Sequence, residues 1–361
     1  MSLESLLSKR SLVGALCAAL ASCGGGGTTP ADNPPVGAGA PPAPAPAPAP
    51  GSNMPVVNAS LIPSPQVGAR TARLAASSER GRATGEVAIR FVCSFSHMNF
   101  DDPLIFPGQV GRSHLHTFFG NTAITANSNT ASIAGSGNST CAGGILNRSA
   151  YWVPSVIDTR TGRPVAPDSM VVYYKANGGT HSQVQPMPAG LRMISGDPAA
   201  QNAQQNPLDG NFDWFCEDGL QGNGPTIPAR CSASTPWRPG GPGDLRLSVV
   251  FQRCWDGRNL DSPDHRSHMA FSPNGSCPSS HPVLLPEITV NVHWPVATAN
   301  ETQYWRLSSD NYVNTIPGGY SSHSDWWNGW DQTIVDRWVT NCLRAGLDCP
   351  IANLNDGWAL N

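Results

Sequence analysis

Glycine and proline interrupt this chain so often that few stretches are long enough for a helix: 37 Gly and 34 Pro among 361 residues, about one residue in five, well above a helical globule. Between them lie short runs rich in β-branched and aromatic side chains, at 87–93, 150–157, 170–175, 245–253, 287–293 and 303–307, each bounded by Gly, Pro, Asn or Ser. Such runs, with little helical periodicity between them, predict an all-β, mainly antiparallel fold: a β-sandwich or jelly roll in one domain with long loops. The exception is C-terminal, where Trp330, Ile334, Trp338 and Cys342 recur every four residues and Gly346 supplies a stop. That pattern predicts a helix, with Asp331 or Asn328 as its N-cap. The stretch 196–210 reads as a surface loop.

The two ends of the chain differ in purpose. Residues 1–22 carry Lys9 and Arg10 ahead of an apolar stretch too short to span a bilayer, the pattern of a secretion signal. Leu20-Ala21-Ser22-Cys23 resembles a bacterial lipobox, so Cys23 is the expected lipidation site, and the absence of an Asp after it points to the outer membrane. Residues 23–56 include an alternating Pro-Ala run that favours polyproline II and forms no core. A stiff tether is expected there, with a globular domain over 57–361 whose ordered part begins between Val56 and Val87.

Lys9 and Lys175 are the only lysines, and the net charge is -3. No basic stripe exists to neutralise a phosphate backbone, which excludes nucleic acid as a partner. The membrane is reached through the lipid alone, and a monomer is expected. Beyond Cys17 and Cys23, eight cysteines stand at 93, 141, 216, 231, 254, 277, 342 and 349. An even count in an exported chain reads as a disulfide framework, and sequential pairing is the expectation.

The chain has no Gly-x-Ser-x-Gly elbow, P-loop, His-Glu-x-x-His helix or dinucleotide fingerprint. What it has is histidine in polar company. Asp101-Asp102-Pro103 is followed by Ser113-His114-Leu115-His116, and two histidines at i and i+2 of a strand face the same way. A second block carries Trp255, Asp256, Asp261, Asp264, His265 and His268, costly to bury unless paired, bound to a cation or lining a wet cleft. Ordinary turn chemistry is the plainer reading of that block. A third, His323-Ser324-Asp325-Trp326-Trp327, again sets two polar groups two apart. His281 could join either of the last two groups.

These blocks, with Ser149-Ala150-Tyr151-Trp152, Gly190-Leu191-Arg192-Met193-Ile194-Ser195-Gly196-Asp197 and Asn328-Gly329-Trp330-Asp331, resemble the DUF1996 family of secreted proteins over about 89–342. The family carries no assigned function, and its association with carbohydrate-binding modules implies work on extracellular polysaccharide. This chain differs in having a lipobox and tether instead of an appended module.

The residues then support an enzyme, a hydrolase or lyase, in which the three blocks meet in one cleft. His114 and His116, with His268 or His323, would hold one divalent metal ion. Asp102, Asp261, His265 and Asp325, beside His114 and His116, are the candidate catalytic groups. Imidazoles suit Zn, Cu, Mn or Fe, while the aspartates leave Ca open. Arg192 is the candidate clamp for a uronate carboxylate, and Tyr151, Trp152, Trp255 and Trp326 offer flat faces for sugar rings. The alternatives are a non-catalytic carbohydrate-binding protein or adhesin using the same cleft, and an envelope protein stabilised by a bound ion.

Overall fold

Among the described residues nine strands form the main sheet: β1 (Ala88–Asn99), β2 (His116–Gly120), β3 (Ala150–Pro154), β4 (Ser169–Lys175), β5 (Arg192–Gly196), β6 (Phe212–Cys216), β7 (Gly243–Val250), β8 (Glu287–Val296) and β9 (His323–Trp327). Their order is β5-β9-β3-β2-β1-β4-β8-β7-β6, with every neighbouring pair antiparallel. The computed structural model describes residues 52–176, 178, 180–206, 212–218, 223–232, 243–272 and 275–361, all within the compact unit Pro42–Asn361. The signal segment, Cys23, most of the tether and the end of the predicted 196–210 loop lie outside the described residues.

The all-β, antiparallel prediction holds, and its main element is one sheet that curls back towards itself. β1 pairs with β4 through residues 88–94 and with β2 through 95–99, and the register slips between Phe95 and His97. A strand with an extra residue bends there, and bends of this kind let one strand serve two layers. The sheet curls far enough for Ser195 Oγ on the β5 edge to donate to the Val250 carbonyl of β7 at 2.6 Å. Inside the fold lies the main core, to which β4 contributes Met170, Val172 and Tyr174, β8 Ile288, Val290 and Val292, and β9 Trp326.

The run 150–157 divides at Ser155, where the chain leaves the main sheet. Val156–Asp158 pairs with Trp305–Leu307 and Arg163–Pro164 in a separate small sheet. Sequential pairing of the cysteines is also what the structure has: 93 with 141, 216 with 231, 254 with 277, and 342 with 349. Four disulfides fit an oxidising compartment.

Of the two N-cap candidates, Asp331 is the cap. Its carboxylate accepts the Thr333 N–H at 2.9 Å and opens helix Gln332–Trp338, which continues through a π-type turn, Val339–Leu343. Asn328 instead ties down a turn, donating to the Pro188 carbonyl at 2.7 Å and accepting the Trp330 N–H at 3.1 Å. A short helix that the sequence pattern does not announce, Thr130–Gly135, is closed by a reciprocal cap between Asn129 and Ser132. Among the described residues no helix is long and apolar enough to cross a membrane.

Candidate metal centre

Alternation along β2, β3, β5 and β9 sends one set of side chains inward and the other onto the outer face of the sheet. The outward set forms a second, smaller core of Phe118, Ala150, Trp152, Ile194 and Trp327, closed over by Leu104, Ile124 and Ile133 from the loops. His116, two residues before Phe118, and His323 and Asp325, four and two before Trp327, lie on this same outer face.

His116 and His323 lean towards each other from strands on either side of β3. His116 is paired with Pro154 there, and a proline between them leaves room for two imidazoles to meet. On the far side of β9 the strand β5 is closely applied at Gly196, which pairs with His323. Gly196 has φ +91°, and a Cβ on it would lie 2.3 Å from the Ser322 carbonyl oxygen, so any larger residue would force β5 away from His323.

The ring tautomers follow from the backbone. His116 Nδ1 lies 3.0 Å from the Asp101 carbonyl oxygen, and His323 Nδ1 lies 2.8 Å from that of Ser321. A carbonyl oxygen only accepts, so in both rings Nδ1 carries the hydrogen and Nε2 the lone pair. These two Nε2 atoms face each other at 3.4 Å. A hydrogen bond between them would need one ring protonated, and the surroundings oppose that. Burial pulls the His116 imidazole down to about 3, with the His323 charge adding to it. Burial likewise brings His323 down to about 4, despite its bond to the Ser321 carbonyl. His114 completes the group, its ring centroid 4.2 Å from that of His116 and 5.2 Å from that of His323. Its Nε2 is buried with no partner, and burial followed by the two neighbouring imidazoles holds its pKa well below the usual value.

Nitrogen atoms of all three rings lie within 4.8 Å of one another, a set that could hold a metal ion. Two nitrogens bound at about 2.0–2.1 Å to one tetrahedral ion stand about 3.3–3.4 Å apart, which matches the His116 and His323 pair. Their Nδ1–H bonds to backbone carbonyls are the outer support that ligating histidines ordinarily have.

Asp325 is fully buried, and its Oδ2 has no partner. Burial, then the charge of Asp102, push its carboxyl well above the usual range, while Arg266 works against them. Asp102 is raised for the same first reason, but its Oδ1 is occupied, accepting the N–H groups of Leu104 and Ile105 at 3.0 Å each. Asp101 is an organiser of the loop: its carboxylate accepts from Asn99 Nδ2, Gly111 N and Ala126 N.

The remaining candidates are placed differently. His114 precedes β2 in a bend, so it meets His116 through the turn and not by sharing a strand. His268 does not join the cluster: its ring nitrogens are engaged by Ser262 Oγ at 2.9 Å and the Arg192 carbonyl at 2.7 Å. Arg192 sits opposite Trp327, four residues and so about 13 Å along β9 from His323. Asp261 is committed to Arg192 Nη1 and His265 Nδ1, both at 2.9 Å. With its guanidinium also 4.1 Å from the Trp327 ring centre, Arg192 is a structural clamp, not a free carboxylate receptor. His281 bonds to Ser280 Oγ and the Ser267 carbonyl. Tyr151, Trp152 and Trp326 are wholly buried and present no face to a sugar. Trp255 is half-buried, its indole N–H held by the Asn259 carbonyl at 2.6 Å.

Two residues escape the sequence reading. His97 stacks on Phe118, centroids 4.7 Å apart, and bonds to the Ile124 carbonyl. Arg266 lies between two of the quoted histidines, where the crowding of charge in 261–268 was the available signal. Comparison with curated proteins finds no match, and comparison with solved structures finds none either. The profile of the DUF1996 family, a domain of unknown function, matches residues 102–330, more than half of the chain and every member of the trihistidine cluster, so this chain belongs to that family.

Proposed function

We propose that the protein is an exported metalloprotein in which His114, His116 and His323 hold one divalent first-row ion and Asp325 handles a proton beside it. The observation that carries this reading is the pair of Nε2 lone pairs at 3.4 Å, each fixed by an Nδ1–H bond to a backbone carbonyl. Such an arrangement is repulsive until a cation enters it. Three neutral nitrogens favour Zn, Cu, Co or Fe and turn the choice away from Ca, which takes oxygen ligands. Three protein ligands leave a position for water or substrate, the pattern of catalytic sites, and an ion there supplies a Lewis acid that polarises a bound oxygen. Asp325, two residues along the same strand face, has a buried oxygen free to accept or return a proton.

An extracellular polysaccharide is the proposed substrate of this centre, cleaved by hydrolysis or elimination, with the domain tethered to the outer membrane through a lipid on Cys23. Support comes from the signal, lipobox and tether pattern, and from the half-buried Trp255.

The test is metal analysis of the purified, dialysed chain after exposure to Zn(II), Cu(II) or Co(II), followed by a polysaccharide panel. One ion per chain, lost in His116→Ala and His323→Ala, supports the centre, and product that disappears on chelation supports the enzyme. A wild-type chain that retains no ion contradicts it.

A further inference from the structure

Deepening the metal-centre reading, on which it rests, we infer that Asp310 is a positioning residue of the trihistidine centre, acting through Ser321 to fix the carbonyl that orients the His323 ring. Asp310 stands in the loop that joins Trp305–Leu307 of the small sheet to β9. It is fully buried, and among the described residues its partners are all neutral donors. Oδ2 accepts the N–H groups of Leu307 and Gly319 at 2.9 Å each, while Oδ1 accepts the Ser321 hydroxyl at 2.6 Å and the Ser321 N–H at 3.4 Å. Burying a carboxylate without a cation beside it is costly, and only such a set of donors offsets the cost. The donors share one feature: Leu307 opens the loop and Gly319 and Ser321 close it. Asp310 therefore ties the two ends of the loop together immediately before His323.

Ser321 is the link between that loop and the ring. Its N–H and its hydroxyl are both anchored to the one carboxylate, and its carbonyl oxygen accepts the His323 Nδ1–H at 2.8 Å. Ser309 Oγ, 2.7 Å away, donates to the Ser321 oxygen, whose own hydrogen is already given to Asp310. The Ser321 carbonyl thus has little freedom to swing, and the His323 Nε2 lone pair is aimed at the centre by bonds that do not involve an ion. The His116 side is built in the same way with one link fewer. The carbonyl that accepts its Nδ1–H belongs to Asp101, whose buried carboxylate accepts from Asn99 Nδ2, Gly111 N and Ala126 N. Both orienting carbonyls are therefore pinned by a buried carboxylate that touches neither ring. Arg306 shows the contrast, because it holds the same loop through the carbonyls of Tyr312, Val313 and Ile316, and none of these is bonded to an imidazole.

The test begins on the metal-free full chain with isotope-labelled histidine, where the Nδ1–H signals of His116 and His323 are assigned by their loss in His116→Ala and His323→Ala. Asp310→Asn keeps the side-chain volume but sets an amide NH2 against donors. The His323 signal should then exchange with water at least about tenfold faster, while that of His116 is unchanged. Co(II) affinity, measured by competition with a chelator, should fall about 10–100-fold with one ion still bound at saturation, and the visible Co(II) bands should shift. Ser321→Ala removes only the hydroxyl bond and should act in the same direction by at least about threefold. It carries the test alone if Asp310→Asn does not fold. Acceleration of both ring N–H signals together would mark a general loosening of the fold. That result, or exchange and Co(II) affinity within twofold of wild type in the variants that fold, would overturn the inference while leaving the metal centre standing. A wild-type chain that takes up no Co(II) overturns the metal-centre reading itself, and the exchange result then still decides whether Asp310 positions His323.

Discussion

The two halves of the main sheet are built on different terms. In β4 and β7 buried and half-exposed residues alternate one by one, so each strand spends one face on the core and the other on water. In β2, β3 and β9 every residue is buried. The second face of those strands is covered by loops, and it combines an apolar patch around Trp152 and Trp327 with His116, His323 and Asp325. A sheet covered on both sides for packing alone would place aliphatic residues there. Placing imidazoles with an unpaired ring nitrogen and a carboxyl there costs stability unless something binds them, and it is on this outer face that we propose the ion is held.

The largest effect that separates the two faces is a core truncation. Phe91 is fully buried in the inner core, against Tyr174 and Trp330, so Phe91→Ala should lower unfolding free energy by about 3–5 kcal/mol. Denaturant titration measures it, and metal stoichiometry below the transition should be unchanged. Loss of the ion in this variant would mean that the two faces are not separable.

Next comes the outer face itself. His116→Ala or His323→Ala should weaken metal affinity by more than about 100-fold, with much less effect on the metal-free protein than Phe91→Ala. The double substitution should cost little more than either single one, since the ligands act as a unit. Isothermal titration of the three proteins checks this, and additive losses would indicate independent sites.

Acid should act on the outer face in a third, smaller way. Unfolded histidines titrate near 6.5, whereas folded His97 and His323 are brought down to about 4 and His116 to about 3, in each case first by burial. As pH falls below 6.5 the unfolded chain therefore takes up protons that the fold refuses. Metal-free stability should drop by up to about 1.4 kcal/mol per pH unit for each such histidine, between 6.5 and about 4. Asp325 and Asp102, raised by burial, have the opposite sign: their contribution falls as pH rises above the usual carboxylate range. Denaturant titrations of the metal-free chain between pH 4 and 7 should show the acid loss, and Asp325→Asn should stabilise the metal-free chain at the upper end. A flat profile in wild type would contradict the burial of neutral imidazoles.

The smallest effect tests selectivity among the histidines. His268→Gln and His281→Asn change groups whose ring nitrogens already have protein partners. Metal affinity should stay within about twofold of wild type in each, less than about 0.5 kcal/mol. A larger loss in either would bring that residue back to the centre.

The same contrast explains what the sequence makes legible. β4, β7 and β8 stand out because β-branched and aromatic residues cluster in them, and they match the predicted runs at 170–175, 245–253 and 287–293 closely. β2, β5 and β9 do not, since histidines, serines and glycines dilute a strand whose polar residues are buried. Burial on both faces erases the alternation that reveals a half-exposed strand. His114, His116, His323 and Asp325 were nevertheless legible as site residues, from the density of imidazole and carboxyl groups in short blocks. His268 met the same criterion and is a hydrogen-bonded loop residue, because spacing says nothing about where a loop's ring nitrogens find partners. Tyr151, Trp152 and Trp326 show the same limit for aromatics: whether a tryptophan is platform or core depends on the loops folded above it.

X-ray absorption at the metal edge of the loaded, full-length chain tests the central claim most directly. The account predicts one ion per chain with three imidazole nitrogens at about 2.0–2.1 Å and one oxygen as the fourth ligand, falling to two imidazoles or to no bound ion in His323→Ala. A spectrum dominated by oxygen ligands, or one with the same nitrogen count in wild type and His323→Ala, would contradict it.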